Sequence, residues 1–327
     1  MNAVTMTAPP AEFRAAGTDL SERRRSGVSK GPMVDIDASA ARGIEPGIEP
    51  GISWGPDGGA GIGALTTIAA IASDPRLAAS YPGLAASAQG LATPQVRHLA
   101  TLGGNLAQRS RCWYFRNPHI DCLKKGGSAC PARSGNHLYG VAFDLGPCVA
   151  PHPSTMAAAL LAYDARVATN RRDHLSIPEL LGDGSIGGVD HALAPGEMIT
   201  TIALPAPLEG ERALYKRAIS RTYAEWPLVE LCARAVIADG AFRLVRLAAG
   251  GIAPVPLRFK TAEAALENKR ADAAAIAAAA RQAISGAKPL PMTGYKLDLL
   301  EGLVRDLLTQ LATVVKITPD ADASSAR

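Results

Sequence analysis

Four of the five cysteines of this chain lie in one segment, residues 101–150, and this clustering constrains the fold more than any other feature of the sequence. The four are Cys112, Cys122, Cys130 and Cys148. A Gly-Gly-Asn turn at residues 103–105 precedes them, and a His-Pro-Ser turn at residues 152–154 follows them. The segment therefore places a group of thiols between two turns of the kind that can hold a phosphorylated cofactor.

The spacing of the cysteines bears on what they could bind. Zinc knuckles usually present C-x2-4-C pairs, whereas the gaps here hold nine, seven and seventeen residues. An iron–sulfur cluster is larger than one ion, and its ligands can come from separate turns of a loop. The spacing favours such a cluster only modestly. A zinc site, two disulfides or a loop of reduced cysteines remain as alternatives, and disulfides are disfavoured because no secretion signal is evident.

Charge in the segment supports a metal–thiolate site. Six cations surround the thiols: Arg109, Arg111, Arg116, Lys124, Lys125 and Arg133. Within residues 109–133 the single acid is Asp121. Cationic neighbours favour thiolate over thiol and offset the negative charge of a thiolate-ligated cluster. We also expect Gly126, Gly127 and Gly135 to let backbone N–H groups approach sulfur.

Length and composition predict an ordinary two-domain globular protein. The chain has 327 residues, of which 47% are hydrophobic and 20% charged, with a formal net charge of +4. This mild charge forms no basic stripe with interleaved aromatic residues, so nucleic acid is not an expected partner. No run of eighteen apolar residues exists, which predicts no membrane span. The triplet Arg23–Arg25 is followed by no apolar stretch, so we expect a cytoplasmic protein, exported only if a partner carries the signal.

Two further turns could bind a dinucleotide. Residues 15–20, Ala-Ala-Gly-Thr-Asp-Leu, end a short strand and would expose successive N–H groups to a phosphate. Residues 182–187 match G-x-G-x-x-G, but they follow a short helix rather than a buried strand. We interpret the second turn as a flexible surface loop.

Apolar periodicity and punctuation by Gly and Pro predict the main elements. Strands are expected at residues 33–36, 165–169, 197–204, 214–217 and 242–249. Helices are expected at residues 82–92, 156–163, 177–181, 223–235, 261–267, 271–284 and 297–313. Cys232, on the apolar side of its expected helix, is interpreted as a core residue. The domain boundary is expected at 207/208, with domains 1–207 and 208–327 and an insertion at about residues 107–149.

Six segments together resemble a known family. They are AAGTDL at 15–20, IGALTT at 62–67, TPQVRHLATLGGNLA at 93–107, HPSTMAAALLAYDA at 152–165, GEMITTIALP at 196–205 and GGIAP at 250–254. In this order they resemble the FAD-binding subunit of the molybdenum hydroxylases, the xanthine dehydrogenase and carbon monoxide dehydrogenase family. The cysteine insertion is similar to that of the branch with 4-hydroxybenzoyl-CoA reductase and bacterial aldehyde oxidoreductases, whose flavin subunit carries an extra [4Fe–4S] cluster.

The resemblance implies an α+β fold: a two-subdomain FAD-binding domain of the PCMH type, then a smaller α+β C-terminal domain of the CO dehydrogenase flavoprotein type. It implies that Ala16, Gly17, Thr18, Asp19 and Leu20 meet the FAD diphosphate from one side, and Thr101, Gly103, Gly104 and Asn105 from the other. Thr66, Ser154 and Lys216 would lie near the ribityl chain or the flavin ring. The cluster ligands would be Cys112, Cys122, Cys130 and Cys148. Ala16 stands where the family usually has a glycine.

The implied function is electron transfer. The subunit would pass electrons between a molybdopterin-binding large subunit, a [2Fe–2S] small subunit and an external acceptor or donor, and it needs no catalytic residue of its own. We interpret His98, His119, His137 and His152 as surface or turn residues. Three alternatives remain: a cluster-bearing structural subunit that has lost FAD, a stand-alone FAD oxidase, and a zinc-stabilised binding module.

Overall fold

A computed structural model describes residues 11–36, 48, 50–220 and 225–313 of the chain. Its first unit is a parallel strand pair, β1 (Glu12–Arg14) and β2 (Met33–Asp35), in which Phe13 pairs with Val34. Helix α1 (Leu20–Arg25) connects the two strands. The first glycine turn therefore occupies the connection between β1 and α1.

A five-stranded antiparallel sheet forms the centre of the first half. Its strands are β3 (Ile52–Trp54), β4 (Ala60–Gly63), β5 (Arg166–Thr169), β6 (Leu175–Ser176) and β7 (Ile199–Leu204). Their order across the sheet is β3-β4-β7-β5-β6, so β7 returns late in the chain to lie between β4 and β5. This order brings the two ends of the first half together.

Short helices with clear start signals follow β4. They are α2 (Ile68–Ser73), α3 (Pro75–Ser80), α4 (Pro82–Gly90), α5 (Pro94–Leu99) and α6 (Leu102–Leu106). Thr67, Asp74, Thr93 and Thr101 each accept a backbone N–H in the first turn, and proline begins three of the helices. A capped first turn makes such short helices possible.

The cysteine loop lies between α6 and a helix buried along its whole length. The loop contains helix α7 (Trp113–Arg116) and two 3₁₀ turns, Leu123–Lys125 and Pro131–Arg133. The buried helix is α8 (Thr155–Ala162), whose small side chains let it pack against α4 and the second sheet. The next helix, α9 (Ile177–Leu181), begins with a capping box formed by Ser176 and Glu179.

The second half is a four-stranded antiparallel sheet covered by three helices. Its strands are β8 (Glu211–Ala218), β9 (Val229–Ala238), β10 (Ala241–Gly250) and β11 (Leu257–Arg258), in the order β11-β10-β9-β8. The helices are α10 (Lys260–Leu266), α11 (Ala273–Ile284) and α12 (Tyr295–Thr313). Among the described residues no helix combines the length and the apolar character needed to cross a membrane.

Arg234, which forms a buried ion pair within the second sheet, links the two halves. Arg234 Nε lies 2.6 Å from Glu211 Oε1, and both side chains are 5% exposed. Arg234 also donates to the carbonyl oxygen of Ala162 at 2.6 Å, at the end of α8. Its guanidinium group lies 4.3 Å from the centre of the Tyr163 ring. The last turn of α8 is thereby fixed to the second sheet.

Most of the predicted elements are present, with one clear error. The helix predicted at 223–235 is wrong: residues 229–235 belong to β9, and residues 223 and 224 lie outside the described residues. Cys232 is a core residue as predicted, with no exposed surface, but it lies on a strand. The turn at 182–187 opens no helix, in agreement with the sequence, although it packs tightly on the cysteine loop.

Candidate cofactor site

The first glycine turn has its left-handed residue at Gly17, with φ +76°. A Cβ at this position would lie 2.8 Å from Ser21 Oγ, so only glycine fits. Ala16 does not have a positive φ and fits its own backbone. Leu20 is buried and anchors α1, and the backbone at Thr18 lies between these positions. The alanine at 16 therefore does not distort the turn.

Asp19 uses its side chain to hold other parts of the protein. Its carboxylate lies 2.7 Å from Arg116, 3.0 Å from Arg23 and 3.2 Å from Arg111. It also accepts the backbone N–H of Arg109 at 3.1 Å. Burial opposes its ionisation, but Arg111 and Arg116 outweigh this and lower the pKa of Asp19 below its ordinary value. Only the backbone of Asp19 is left for a diphosphate.

The second glycine turn forms the start of α6. Thr101 Oγ1 accepts the N–H of Gly104 at 3.1 Å. A Cβ at Gly103 would come within 2.9 Å of Ala64 Cβ, so glycine is required for α6 to pack against β4. Gly104 is exposed and presents bare backbone. Asn105 is buried, and its Oδ1 accepts a hydrogen bond from Ser154 Oγ at 2.7 Å.

A first cavity of about 380 Å³ lies beside this turn. Its walls come from β1, from α6 and from the segment before β7, and the residues that matter here are Ala15, Thr101, Gly103, Gly104, Arg109 and His191. The Nδ1 atom of His191 is buried and has no hydrogen-bond partner among the described residues. Bare backbone and an unpaired polar atom on one cavity wall are features of a site that binds a polar ligand. Arg109 and His191 in this wall were not predicted as site residues.

A second cavity of about 430 Å³ lies between the cysteine loop and the second half of the chain. His152, Lys296 and Glu230 line it. His152 is buried rather than a surface turn residue, its Nε2 has no partner in the described structure, and burial lowers its pKa to about 4. Lys296 donates to the carbonyl oxygens of Gly251 at 2.7 Å and Tyr139 at 3.3 Å, and burial lowers its pKa to about 7.

The hydrogen bond between Asn105 and Ser154 connects the walls of the two cavities. Asn105 belongs to α6, which lines the first cavity, and Ser154 follows directly on His152 and Pro153, which line the second. Gln108 adds a second link, because its side-chain amide donates to the carbonyl oxygen of Pro153 at 3.3 Å. These two hydrogen bonds hold the walls of the two cavities together.

Two of the predicted site residues have other roles. Thr66 Oγ1 exchanges hydrogen bonds with the backbone of Gly51, at 2.8 and 2.9 Å, and is buried away from both cavities. Lys216 forms an ion pair with Asp306 on α12 and also lines neither cavity. The geometry gives no support for placing Thr66 or Lys216 beside the flavin ring. Side chains on alternate residues of β8 point to opposite faces, and Lys216 is on the face toward α12.

None of the four cysteines of the loop forms a disulfide, and Cys130 and Cys148 are in contact. The thiols of Cys130 and Cys148 share a hydrogen bond that lowers the pKa of Cys130 to about 5 and raises that of Cys148. Burial raises the pKa of Cys112, and negative charge on Cys130 and Cys122 adds to this rise. The part of the chain that the structure describes has no group of three or more His, Cys, Asp or Glu side chains arranged around a single ion.

Backbone N–H groups do face the sulfur atoms, although the three glycines do not provide them. Cys112 accepts from the N–H groups of Tyr114 and Phe115. Cys130 accepts from those of Ala132, Arg133 and Val149. Gly127 instead packs against the backbone of Cys122, with its Cβ position 3.0 Å from Cys122 N. Thiols that face N–H donors have the chemistry of iron–sulfur ligands, but among the described residues only Cys130 and Cys148 are in contact, so the four thiols are not gathered around one centre.

The cations of the loop are paired with acids from distant segments. Arg109 and Lys124 both bind Asp190, and Arg111 and Arg116 bind Asp19. Arg133 binds Asp144 within the loop, and Lys125 donates to backbone carbonyl groups. The prediction that these charges mainly surround the thiols is therefore incomplete. They also fasten the cysteine loop to α1 and to the segment before β7.

Two family descriptions match the chain. "FAD binding domain in molybdopterin dehydrogenase" matches residues 52–207, and "CO dehydrogenase flavoprotein C-terminal domain" matches residues 213–311. A similar protein is the aldehyde oxidoreductase FAD-binding subunit PaoB of Escherichia coli K12. It is 32% identical over 266 residues, which cover 79% of this chain and 80% of the relative.

Similar folds occur in solved structures. Quinoline 2-oxidoreductase from Pseudomonas putida 86 superposes with a TM-score of 0.69 at 19% identity, covering 92% of this chain and 89% of the other. Carbon monoxide dehydrogenase from Hydrogenophaga pseudoflava superposes with a TM-score of 0.69 at 22% identity, covering 91% and 88%. At these identities the likeness concerns the fold, and it confirms the α+β architecture.

Proposed function

The chain belongs to the family of FAD-binding subunits of the molybdenum hydroxylases, and from this premise we propose that it carries both FAD and a [4Fe–4S] cluster and transfers electrons within a molybdopterin-dependent complex. The family makes it an oxidoreductase component. Its proposed partners are a molybdopterin-binding large subunit, a [2Fe–2S] small subunit and an external electron acceptor or donor. The proposed substrate class of the complex is aldehydes, because the E. coli relative is a subunit of an aldehyde oxidoreductase.

The observation that carries the FAD half of this proposal is the pair of cavities whose walls are joined by the hydrogen bond between Asn105 and Ser154. FAD has a diphosphate between a nucleoside and a ring system, so it needs an elongated site. We place the diphosphate half in the first cavity and the ring system in the second. Bound FAD supplies a centre that exchanges one or two electrons.

The residues of the chain bind and position the cofactor. Backbone N–H groups at residues 16–20 meet the diphosphate from one side without a fixed side-chain charge. The turn at Thr101, Gly103, Gly104 and Asn105 borders it from the other side with bare backbone, since the N–H groups of Gly103, Gly104 and Asn105 already donate to Ala64 O, Thr101 Oγ1 and Thr101 O. Ser154 holds Asn105 in place. His152, neutral because of its low pKa, offers its unpaired Nε2–H to a ligand acceptor, since its Nδ1 already accepts the N–H of Ser154 at 3.2 Å. No residue has to move a proton in this role.

The cysteine loop carries the cluster half of the proposal. Cys112, Cys122, Cys130 and Cys148 provide four thiolate ligands, and the N–H groups facing Cys112 and Cys130 stabilise negative charge on sulfur. A cluster of this type exchanges single electrons. The proposed domains are 1–207, with the insertion at about 107–149, and 208–327. The proposed compartment is the cytoplasm.

The test of FAD binding uses two glycines in matched settings. Gly104→Leu fills the bare backbone face of the first cavity, where a Cβ would lie 2.9 Å from Thr101 Oγ1. Gly302→Leu changes an exposed glycine of α12 that has open space around it. Purified complex with Gly104→Leu should bind FAD at least about tenfold more weakly, and Gly302→Leu should bind it normally. Equal FAD binding by both variants would contradict the proposed site.

A further inference from the structure

A buried carboxyl group lines the second cavity and takes no part in the proposed diphosphate and cluster sites. Glu230 lies in β9, its side chain is 1% exposed, and it lines the cavity. Its Oε2 accepts a hydrogen bond from Tyr215 Oη at 2.7 Å. The Thr155 hydroxyl is within hydrogen-bonding reach of both groups. A Cβ at Gly250 would overlap Glu230 Oε1, so the opposite strand leaves space for this carboxyl group.

The surroundings of Glu230 do not neutralise it with an ion pair. In the described part of the chain no cation lies within salt-bridge distance of its carboxyl group. The charge of Arg217 lowers the pKa of Glu230 only in part, and the guanidinium group of Arg217 donates to the carbonyl oxygens of Gly90 and Glu225. Burial raises the pKa of Glu230, and the hydrogen bonds from Tyr215 and Thr155 offset part of that rise.

Burying a carboxyl group without a charge partner is costly. A core position at the start of a strand needs no such group for packing, because an apolar side chain would fill it at lower cost. A buried acid that is held in a fixed orientation and borders a cavity is therefore a candidate ligand-binding residue. The two hydrogen bonds fix the orientation of the carboxyl group at the wall of the cavity.

We propose that Glu230 is a binding residue for the ring system of FAD in the second cavity, held in position by Tyr215 and Thr155. This rests on the proposed function. One edge of the flavin ring carries an N–H donor between two carbonyl acceptors. A carboxyl group can accept a hydrogen bond from that N–H or, when protonated, donate one to a neighbouring carbonyl. Glu230 would thus select for a ring system with this polar edge.

The test removes the carboxyl group from position 230 and introduces one at position 155, whose side chain is hydrogen-bonded to it. Three variants of the complex are compared with wild type: Glu230→Gln, Thr155→Asp and the double variant. The measurements are the dissociation constant of FAD, by quenching of flavin fluorescence in FAD-depleted complex, the position of the flavin absorption bands, and the thermal midpoint without FAD. The thermal midpoint reports any purely structural role of the residue.

Glu230→Gln should weaken FAD binding about ten- to a hundredfold and shift the flavin absorption bands, because a buried hydrogen bond to the ring is lost or reversed. Thr155→Asp should also weaken binding, because two carboxyl groups then face each other. The double variant restores a single carboxyl group, so its affinity should return to within about threefold of wild type.

Two results would overturn the inference while leaving FAD binding intact. One is a Glu230→Gln variant with wild-type FAD affinity and absorption bands, even if its thermal midpoint falls. The other is a double variant whose FAD affinity falls by the product of the two factors measured for the single variants. If wild-type complex binds no FAD, the proposed function fails, and this inference fails with it.

Discussion

Asp19 Oδ1 lies 2.7 Å from Arg116 Nη2, although 97 residues separate them in the sequence. The pair joins the first glycine turn to the cysteine loop. Arg111 and the backbone N–H of Arg109 bind the same carboxylate. The segment proposed to hold the FAD diphosphate and the segment proposed to hold the cluster are therefore fixed to each other by one side chain.

Asp19→Asn should destabilise both segments. The change removes the more buried of the two anions that Arg111 and Arg116 share, the other being Glu22, which should lower the free energy of unfolding by about 2 to 4 kcal/mol. FAD affinity should fall as well, because the turn loses its anchor. Urea denaturation and FAD titration measure the two effects.

Asp35→Asn is the matched control for this change. Asp35 pairs with Arg14 in a setting where the two side chains are 55% and 37% exposed. An exposed pair contributes little to stability, so the loss should be small beside that of Asp19→Asn. Equal losses for Asp19→Asn and Asp35→Asn would show that the Asp19 cluster does not connect the two segments as described.

Asp190 should make the free energy of unfolding depend on pH in the acidic range. Burial opposes its ionisation, but Lys124 and Arg109 outweigh this and lower its pKa to about 2. Because the folded-state pKa lies below the unfolded value of about 3.9, the stabilisation is present above pH 4 and is lost as pH falls toward 2. Above pH 4 the ionised Asp190 therefore contributes about 2 to 3 kcal/mol to the free energy of unfolding.

The check compares wild type with Asp190→Asn by chemical denaturation between pH 6 and pH 2.5. At pH 6 the variant should be clearly less stable, and the difference should shrink steadily below pH 4 as wild type loses its advantage. A difference that stays constant over this range would mean that Asp190 is not ionised against Arg109 and Lys124.

Gly187→Ala should disturb the cysteine loop, whereas Gly188→Ala should not. A Cβ at Gly187 would lie 2.9 Å from Leu123 Cδ1 and Pro147 Cγ and 3.2 Å from Cys148 N. A Cβ at Gly188 would meet only Leu123 O, at 3.5 Å. Overpacking of this kind costs about 1 to 3 kcal/mol. The measurement is the rate at which a chelator removes iron, which should rise for Gly187→Ala alone.

Local sequence features were sufficient to predict a helix where the residues at its start form capping interactions. Helix α9 is an example, because Ser176 and Glu179 form a capping box and Pro178 lies in the first turn. Thr67 likewise caps α2 by accepting the N–H of Ala70. These interactions span three residues, so they can be identified without knowledge of the fold.

Strand β9 shows where local features fail. Its sequence, VELCARAVIA, is rich in helix-forming residues and lacks the alternation of a half-buried strand. It pairs with both β8 and β10 and packs against α4, α8 and α12, so both of its faces are covered. Pairing with two neighbours overrode the helical preference of these residues.

The candidate site was predicted unevenly for the same reason. Gly17, Gly103 and Gly104 are recognisable because each lies in a turn of distinctive composition. The roles of Asp19 and Asp190 depend on partners 90 and 81 residues away, and nothing in the local sequence indicates them. The resemblance implies that Lys216 lies near the ribityl chain or the flavin ring, whereas the contact that the structure shows for its side chain is the ion pair with Asp306.

The central claim is that one chain binds both FAD and a four-iron cluster. The direct measurement is iron, acid-labile sulfide, zinc and FAD per chain in complex purified anaerobically with its partners, after subtraction of the iron in the [2Fe–2S] subunit. We predict about four irons and one FAD per chain. Cys112→Ser and Cys130→Ser should lose iron and keep FAD, and Cys232→Ser should keep both. Zinc without iron would contradict the cluster, and iron without FAD would contradict the flavin site.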